Sequence, residues 1–137
     1  MQRRNGIVWT VLFMLAIATS ALAAGSPTTN VTVGRAQTLI KERAGQADFV
    51  ILDVRTPGEF SEGHLRGAVN LDVQSPDFEK RLRALDRNKS YLVYCRTGNR
   101  SRQAILAMEA LGFRSISHMN EGIVKWKQQQ LPLTRPS

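Results

Sequence analysis

Two apolar runs constrain this chain more than any other feature: FVILDV, from Phe49 to Val54, and YLVYC, from Tyr91 to Cys95. Neither alternates apolar with polar residues, as a strand with one wet face does. A nearly unbroken run of this kind belongs to a strand covered on both faces. Helical patterns surround them. Ala36, Leu39 and Ile40 recur at helical spacing within Arg35–Arg43, and Ala104, Ile105, Ala107, Met108 and Leu111 form a stripe that Gly112 closes. The pattern predicts shorter strands at Val31–Val33, Ala68–Leu71 and Ser115–His118. It also predicts a helix opened by Ser75 as N-cap and Pro76 at its first position, with Phe78, Leu82 and Leu85 on one face. A last helix is predicted over Gly122–Gln130, with Trp126 on its inner side. Strand–helix alternation of this kind makes an α/β fold, a mainly parallel sheet of about five strands with helices on both faces. Ligands of such sheets sit beyond the carboxyl ends of the strands.

At 137 residues there is room for one ordinary domain. With 42% apolar and 22% charged residues, the composition is that of a globular protein and not a disordered or collagen-like one. The formal charge of +8 is spread along the chain without a Lys/Arg run, so it marks a basic surface that attracts small anions and not a nucleic-acid partner. The single cysteine excludes an intrachain disulfide framework and a zinc site built on several thiolates.

The first residues read as a targeting segment. MQRRNG carries Arg3 and Arg4, IVWTVLFMLAIA is an apolar core, and TSALAAGS supplies small residues. This is the order of a secretory signal peptide over residues 1–23, with cleavage before Ala24 or, as a close second, before Gly25. The alternative is an uncleaved membrane anchor, since Ile7–Ala24 approaches the roughly 20 residues that span a bilayer. The expected location is outside the cytoplasm: periplasmic in a Gram-negative source, otherwise secreted or membrane-anchored. A membrane partner is expected only if the presequence is retained. Residues 24–30 read as a flexible lead-in to a domain over residues 31–134.

Cys95 falls at the carboxyl end of a buried strand, directly before a loop that opens a helix. Loop N–H groups and the positive end of the helix favour negative charge there. Arg96 and Arg100 add two cations within the same six residues, and Gly98 frees the backbone to take positive φ and to bring its amide close to a bound group. Each effect favours the thiolate, which is the nucleophilic form. The expectation is a small anion-binding cradle with a reactive sulfur at its base. A buried, inert cysteine is the alternative that the two arginines and the glycine argue against.

The loop CRTGNR followed by Ser101 resembles the active-site loop of single-domain rhodaneses, which are sulfurtransferases. LDVRTPGEFSEGHLRGAVNL (Leu52–Leu71) is similar to an upstream family segment. SRQAILAMEALGF resembles the family's post-loop helix, and EGIVKWKQQQLPL its closing helix. The likeness runs from Val31 to Leu133. Two departures are Glu121, where the family usually has the first glycine of a pair, and Gln130, where a helix-ending glycine is common. The resemblance implies a rhodanese-like fold and a thiosulfate:cyanide type of sulfurtransferase. Four residues separate Cys95 from Arg100, the shorter of two loop lengths in this fold; the longer serves phosphatases and arsenate reductases. The implied reaction passes a sulfane sulfur from a small anionic donor such as thiosulfate through a Cys95 persulfide to cyanide or a thiol, which could belong to a protein. Neither metal nor organic cofactor is implied. Arg96 and Arg100 are the expected donor-binding residues, with Thr97, Gly98, Asn99 and Ser101 completing the cradle. Ser101 could equally be a plain helix cap. A second reading is a persulfide carrier, or an anion-binding module, that serves a partner protein without turnover of its own.

Asp53 ends a strand and could lie near the site, while Arg55 and Glu59 are expected to form a structural ion pair. His64 reads as a structural histidine. His118 has no partner that the sequence identifies. Trp126 and Phe113 read as core.

Overall fold

The structure, a computed structural model, describes residues 25–137. The signal-peptide and anchor readings therefore fall outside the described residues. Among those described, no helix is long and apolar enough to cross a membrane.

Among the described residues five strands and five helices alternate: β1 (Thr28–Val31), α1 (Val33–Arg43), β2 (Phe49–Asp53), α2 (Pro57–Glu62), β3 (Val69–Asn70), α3 (Phe78–Arg83), β4 (Ser90–Tyr94), α4 (Asn99–Ala110), β5 (Ser115–Met119) and α5 (Gly122–Gln128). All pairings within this sheet are parallel, in the order β1-β5-β4-β2-β3. β4 is thus the middle strand, with Leu92 opposite Ile51 on β2 and Ser117 on β5. The α/β architecture expected from the two apolar runs is the one observed.

Successive side chains of a strand point to opposite faces, so β4 feeds two cores. Tyr91, Val93 and Cys95 pack toward α3 and α4 with Leu52, Phe78, Leu82, Met108 and Phe113. Leu92 and Tyr94 pack toward α1 and α5 with Ile51, Ala36, Ile123 and Trp126. This double burial is why neither run shows polar alternation.

Several element boundaries differ from the sequence pattern. The segment 24–30 is not wholly a lead-in: Thr28–Val31 forms an edge strand along β5, and Thr32, expected inside a strand, is the N-cap of α1, accepting from the Arg35 N–H. Ser75 does not cap α3. Asp77 holds that position, and the Ser75 hydroxyl turns to the Asp77 carboxylate. The last helix ends at Gln128, and Gln130 takes φ 55°, left-handed backbone that glycine adopts without strain. The helix α2 went unread, although Thr56-Pro57 with Glu59 is an N-terminal signature. The Thr56 hydroxyl accepts the Glu59 N–H, and Pro57 stands in the first turn.

Leu92 has no solvent exposure and lies on the central strand. Leu92→Ala should lower the free energy of unfolding by about 2–5 kcal/mol through lost burial and an unfilled cavity, as measured by denaturant titration.

Candidate active site

Cys95 follows β4 directly, with its residue 1% exposed, and α4 begins four residues later. A buried sulfur would ordinarily stay protonated. Here two side-on contacts work against that: the Gly98 N–H donates to Sγ at 3.1 Å, and the Ser101 Oγ lies 3.3 Å from it. Burial is the largest single influence on the thiol and pushes its pKa up. The Ser101 hydroxyl, then the Ser101, Gly98 and Thr97 amides, together outweigh it, so the pKa lies below the ordinary thiol value.

The amides can face the sulfur because the loop's carbonyls are engaged elsewhere. The Cys95 carbonyl accepts from Ile123 N–H at 2.9 Å and the Arg96 carbonyl from Val124 N–H at 3.2 Å, both in the first turn of α5. Two glycines permit this close approach. A Cβ on Gly122 would stand 2.1 Å from the Arg96 carbonyl oxygen, and one on Gly98 would stand 2.4 Å from that of Asn120. Both take positive φ, 70° and 100°. Glu121, the departure from the expected glycine pair, has ordinary right-handed backbone and needs no glycine. Its carboxylate accepts the Val33 N–H and so joins the start of α5 to the start of α1.

The expected loop residues occupy distinct places. Arg96, Thr97 and Asn99 are exposed, whereas Gly98 and Ser101 are buried. Arg100 is not open to a ligand on both forks. Its Nη1 and Nη2 each donate to one Glu59 carboxylate oxygen at 2.8 Å. That hydrogen bond, opposed by burial, raises the Arg100 pKa, and the bond from Arg100 correspondingly lowers that of Glu59. Arg96 forms no ion pair among the described residues. It borders a cavity of about 170 Å³ that is also lined by Arg55, Glu59, Glu62, Val124 and Lys127.

The expected Arg55–Glu59 pair is therefore replaced by two others. Glu59 holds Arg100, while Arg55 pairs with Asp53 at 2.7 Å and donates to the Gly63 carbonyl at the same distance. Asp53 also accepts from the Tyr94 hydroxyl at 2.7 Å, and the Tyr94 oxygen accepts the Leu65 N–H. Buried charges need this degree of pairing. The network ties the ends of β2 and β4 to the segment after α2; none of its hydrogen bonds reaches Cys95. His64 shares its Nδ1 with the Phe60 carbonyl and stacks on the Phe60 ring, a structural placement. Trp126 and Phe113 are core residues.

His118 is the residue that sequence reasoning missed. It is buried, its Nε2 lies 2.6 Å from the Ser101 Oγ, and its Nδ1 lies 3.2 Å from the Asn30 Oδ1. Its two partners are 17 and 88 positions away, and the sequence offers no local signal for them. Among the described residues no group of three or more His, Cys, Asp and Glu could hold a metal ion.

A parallel sheet that delivers one cysteine to backbone N–H donors at a helix start defines an α/β protein with its thiol at the carboxyl end of the central strand. The model of the rhodanese-like domain matches residues 36–129, and the chain belongs to that family. A protein of Allochromatium vinosum named a sulfurtransferase is 27% identical over 100 residues, covering 73% of this chain and 92% of that one. A probable adenylyltransferase/sulfurtransferase of Mycobacterium tuberculosis is 33% identical over 84 residues, which make up 61% of this chain; the match spans only 21% of that protein. The crystal structure of a rhodanese-related protein from Thermoplasma volcanium superposes with a TM-score of 0.62 at 25% identity, over 80% of this chain and 98% of that one. At the level of the family, these relatives support sulfur transfer.

Gly122→Ala should force α5 away from the Arg96 carbonyl and unseat the loop amides. Alkylation of Cys95 by iodoacetamide at neutral pH should slow by about tenfold or more, as expected if the thiol pKa rises by a unit.

Proposed function

We propose that the protein is a sulfurtransferase of the thiosulfate:cyanide type, with Cys95 as the nucleophile and sulfur carrier. The observation that carries this reading is the inward-facing set of donors around a single buried thiol whose pKa lies below the ordinary thiol value. In the first half-reaction the Cys95 thiolate attacks the outer sulfur of thiosulfate. A new S–S bond forms, the donor's S–S bond breaks, and sulfite leaves with its electron pair. The persulfide's terminal sulfur then occupies the space the loop encloses, where the N–H groups stabilise its negative charge as oxyanion donors do. In the second half-reaction cyanide or a thiolate attacks that sulfur, and Cys95 departs as thiolate.

In this reading the two arginines divide the cationic work. Arg100, held on both forks by Glu59, stiffens the loop and contributes field without offering a free face. Arg96, exposed and without an ion pair among the described residues, is the side chain we assign to the donor's sulfonate oxygens. Thr97 and Asn99 lie exposed beside it and can add hydrogen bonds to those oxygens. Asp53 and Arg55 act at a distance, by fixing the strand ends. The chemistry requires no metal or organic cofactor, because each step is a displacement in which the nucleophile brings the bonding pair and the leaving sulfur carries one away.

The same geometry serves a persulfide carrier whose acceptor is a protein thiol, and turnover separates the two readings. The enzyme should produce thiocyanate from thiosulfate and cyanide through many cycles. Cys95→Ser should abolish it, and Arg96→Ala should raise the KM for thiosulfate about tenfold while leaving kcat within a few-fold, because a charge-assisted contact to the donor is worth about 1.5 kcal/mol or more. A protein that acquires one sulfur yet fails to cycle with small acceptors is the carrier. Thiocyanate formation by Cys95→Ser would overturn both.

A further inference from the structure

His118 lies on β5 in contact with Ser101, and nothing in the sulfur-transfer steps above uses it. Its ring is held at both nitrogens. Asn30 Oδ1 can only accept, so the 3.2 Å contact places a proton on His118 Nδ1 and leaves Nε2 as a bare lone pair facing Ser101 at 2.6 Å. Ser101 Oγ sits between that lone pair and Cys95 Sγ, 3.3 Å away. Three groups that can each exchange one proton are thus joined by two successive contacts, and the heavy atoms suit both ends of the exchange. In one arrangement Cys95 S–H donates to Ser101 and the Ser101 O–H donates to Nε2. In the other Nε2–H donates to Ser101 and the Ser101 O–H donates to the sulfur anion. Asn30 accepts from Nδ1–H in both.

We propose that His118 is a positioning residue that receives the Cys95 proton through Ser101, a role that rests on reading Cys95 as the sulfur-carrying nucleophile. The S–H proton passes to Ser101 Oγ as the Ser101 proton passes to His118 Nε2. One S–H bond breaks, one N–H bond forms, the serine is unchanged, and a thiol and a neutral imidazole become a thiolate and an imidazolium. No heavy atom moves and no co-reactant is consumed. The relay also fixes the Ser101 hydroxyl, which without His118 would turn to its other acceptor, the Gly98 carbonyl at 3.0 Å.

The charges around His118 bear on this exchange. From α4, Arg102 and Glu109 line the same groove of about 290 Å³, together with Thr28 and Asn30 of β1 and Asn120 of the following turn. Burial first, and Arg102 second, push the His118 pKa below its ordinary value. The imidazolium therefore needs the neighbouring thiolate, and it can give its proton to water in the groove, away from the face where a donor meets Arg96.

The test follows Cys95 ionisation without any sulfur donor, so that it reads the relay independently of sulfur transfer. Iodoacetamide alkylation is measured against pH for the wild type, His118→Phe, His118→Gln and Ser101→Ala, with folding monitored by thermal melting. His118→Phe should raise the pH midpoint by about one unit and slow alkylation about tenfold at neutral pH. His118→Gln keeps a donor for Ser101 but cannot take a proton, so it should behave as His118→Phe does. In the Ser101→Ala background, His118→Phe should add nothing. An unchanged midpoint in His118→Phe, full rescue by His118→Gln, or additive losses would each overturn the relay. Nitrogen NMR of the wild type gives a readout that needs no folded His118 variant. His118 should carry its proton on Nδ1 in the thiol state and share a titration step with Cys95 that vanishes in Cys95→Ala; identical titration in both proteins would overturn the proposal. If the relay is present but Cys95 accepts no sulfur, only the sulfurtransferase reading falls.

Discussion

The site depends on where two peptide carbonyls point. Because the Cys95 and Arg96 carbonyls accept hydrogen bonds from the first turn of α5, the N–H groups of the following residues are free to turn toward the sulfur. The loop held this way also carries the Gly98 N–H contact to the sulfur, the Ser101 hydroxyl beside it, and the lowered thiol pKa. The clamp is backbone to backbone, and its tolerance is set by Gly98 and Gly122, where even a methyl group would collide with a carbonyl. Side chains alone could not build it, since none of them positions an amide.

A second layer of constraint keeps the clamp in register. β4 is the middle strand, buried on both faces, so the position from which Cys95 emerges is fixed by two separate cores. The Asp53–Arg55–Tyr94 network closes the neighbouring strand ends with charges paired inside the protein, and the Arg100–Glu59 fork secures the far side of the loop to α2. Both pairs include a residue that the sequence pointed to, but each has a different partner from the expected one. Arg55 and Glu59, four residues apart at the start of α2, looked like a local ion pair. The fold instead turns each toward a partner supplied by the sheet or the loop.

How much was legible in the sequence follows the range of the interactions involved. The strands β2 and β4, the stripe of α4 and the place of Cys95 were readable because burial on both faces and helical periodicity are written in consecutive residues. The strand β1 was misread as lead-in because Thr28, Thr29 and Asn30 are short and polar, and they form a strand only through pairing with β5, some 88 positions on. His118 has no local signal for the same reason: its function would come from Ser101 and Asn30, 17 and 88 positions away, which the fold brings to it. Ser75-Pro76 carried a valid local signal for a helix start that the chain spent on a turn, with Asp77 taking the capping position. Local signals therefore located the reactive sulfur, while long-range pairing determined which groups surround it.

The central claim is that this loop makes Cys95 a carrier of sulfane sulfur. Intact-mass analysis of the protein after brief exposure to thiosulfate tests it most directly. The account predicts a gain of one sulfur atom, absent in Cys95→Ala and reversed by cyanide. A mass unchanged by thiosulfate, or a gain that persists in Cys95→Ala, would contradict it.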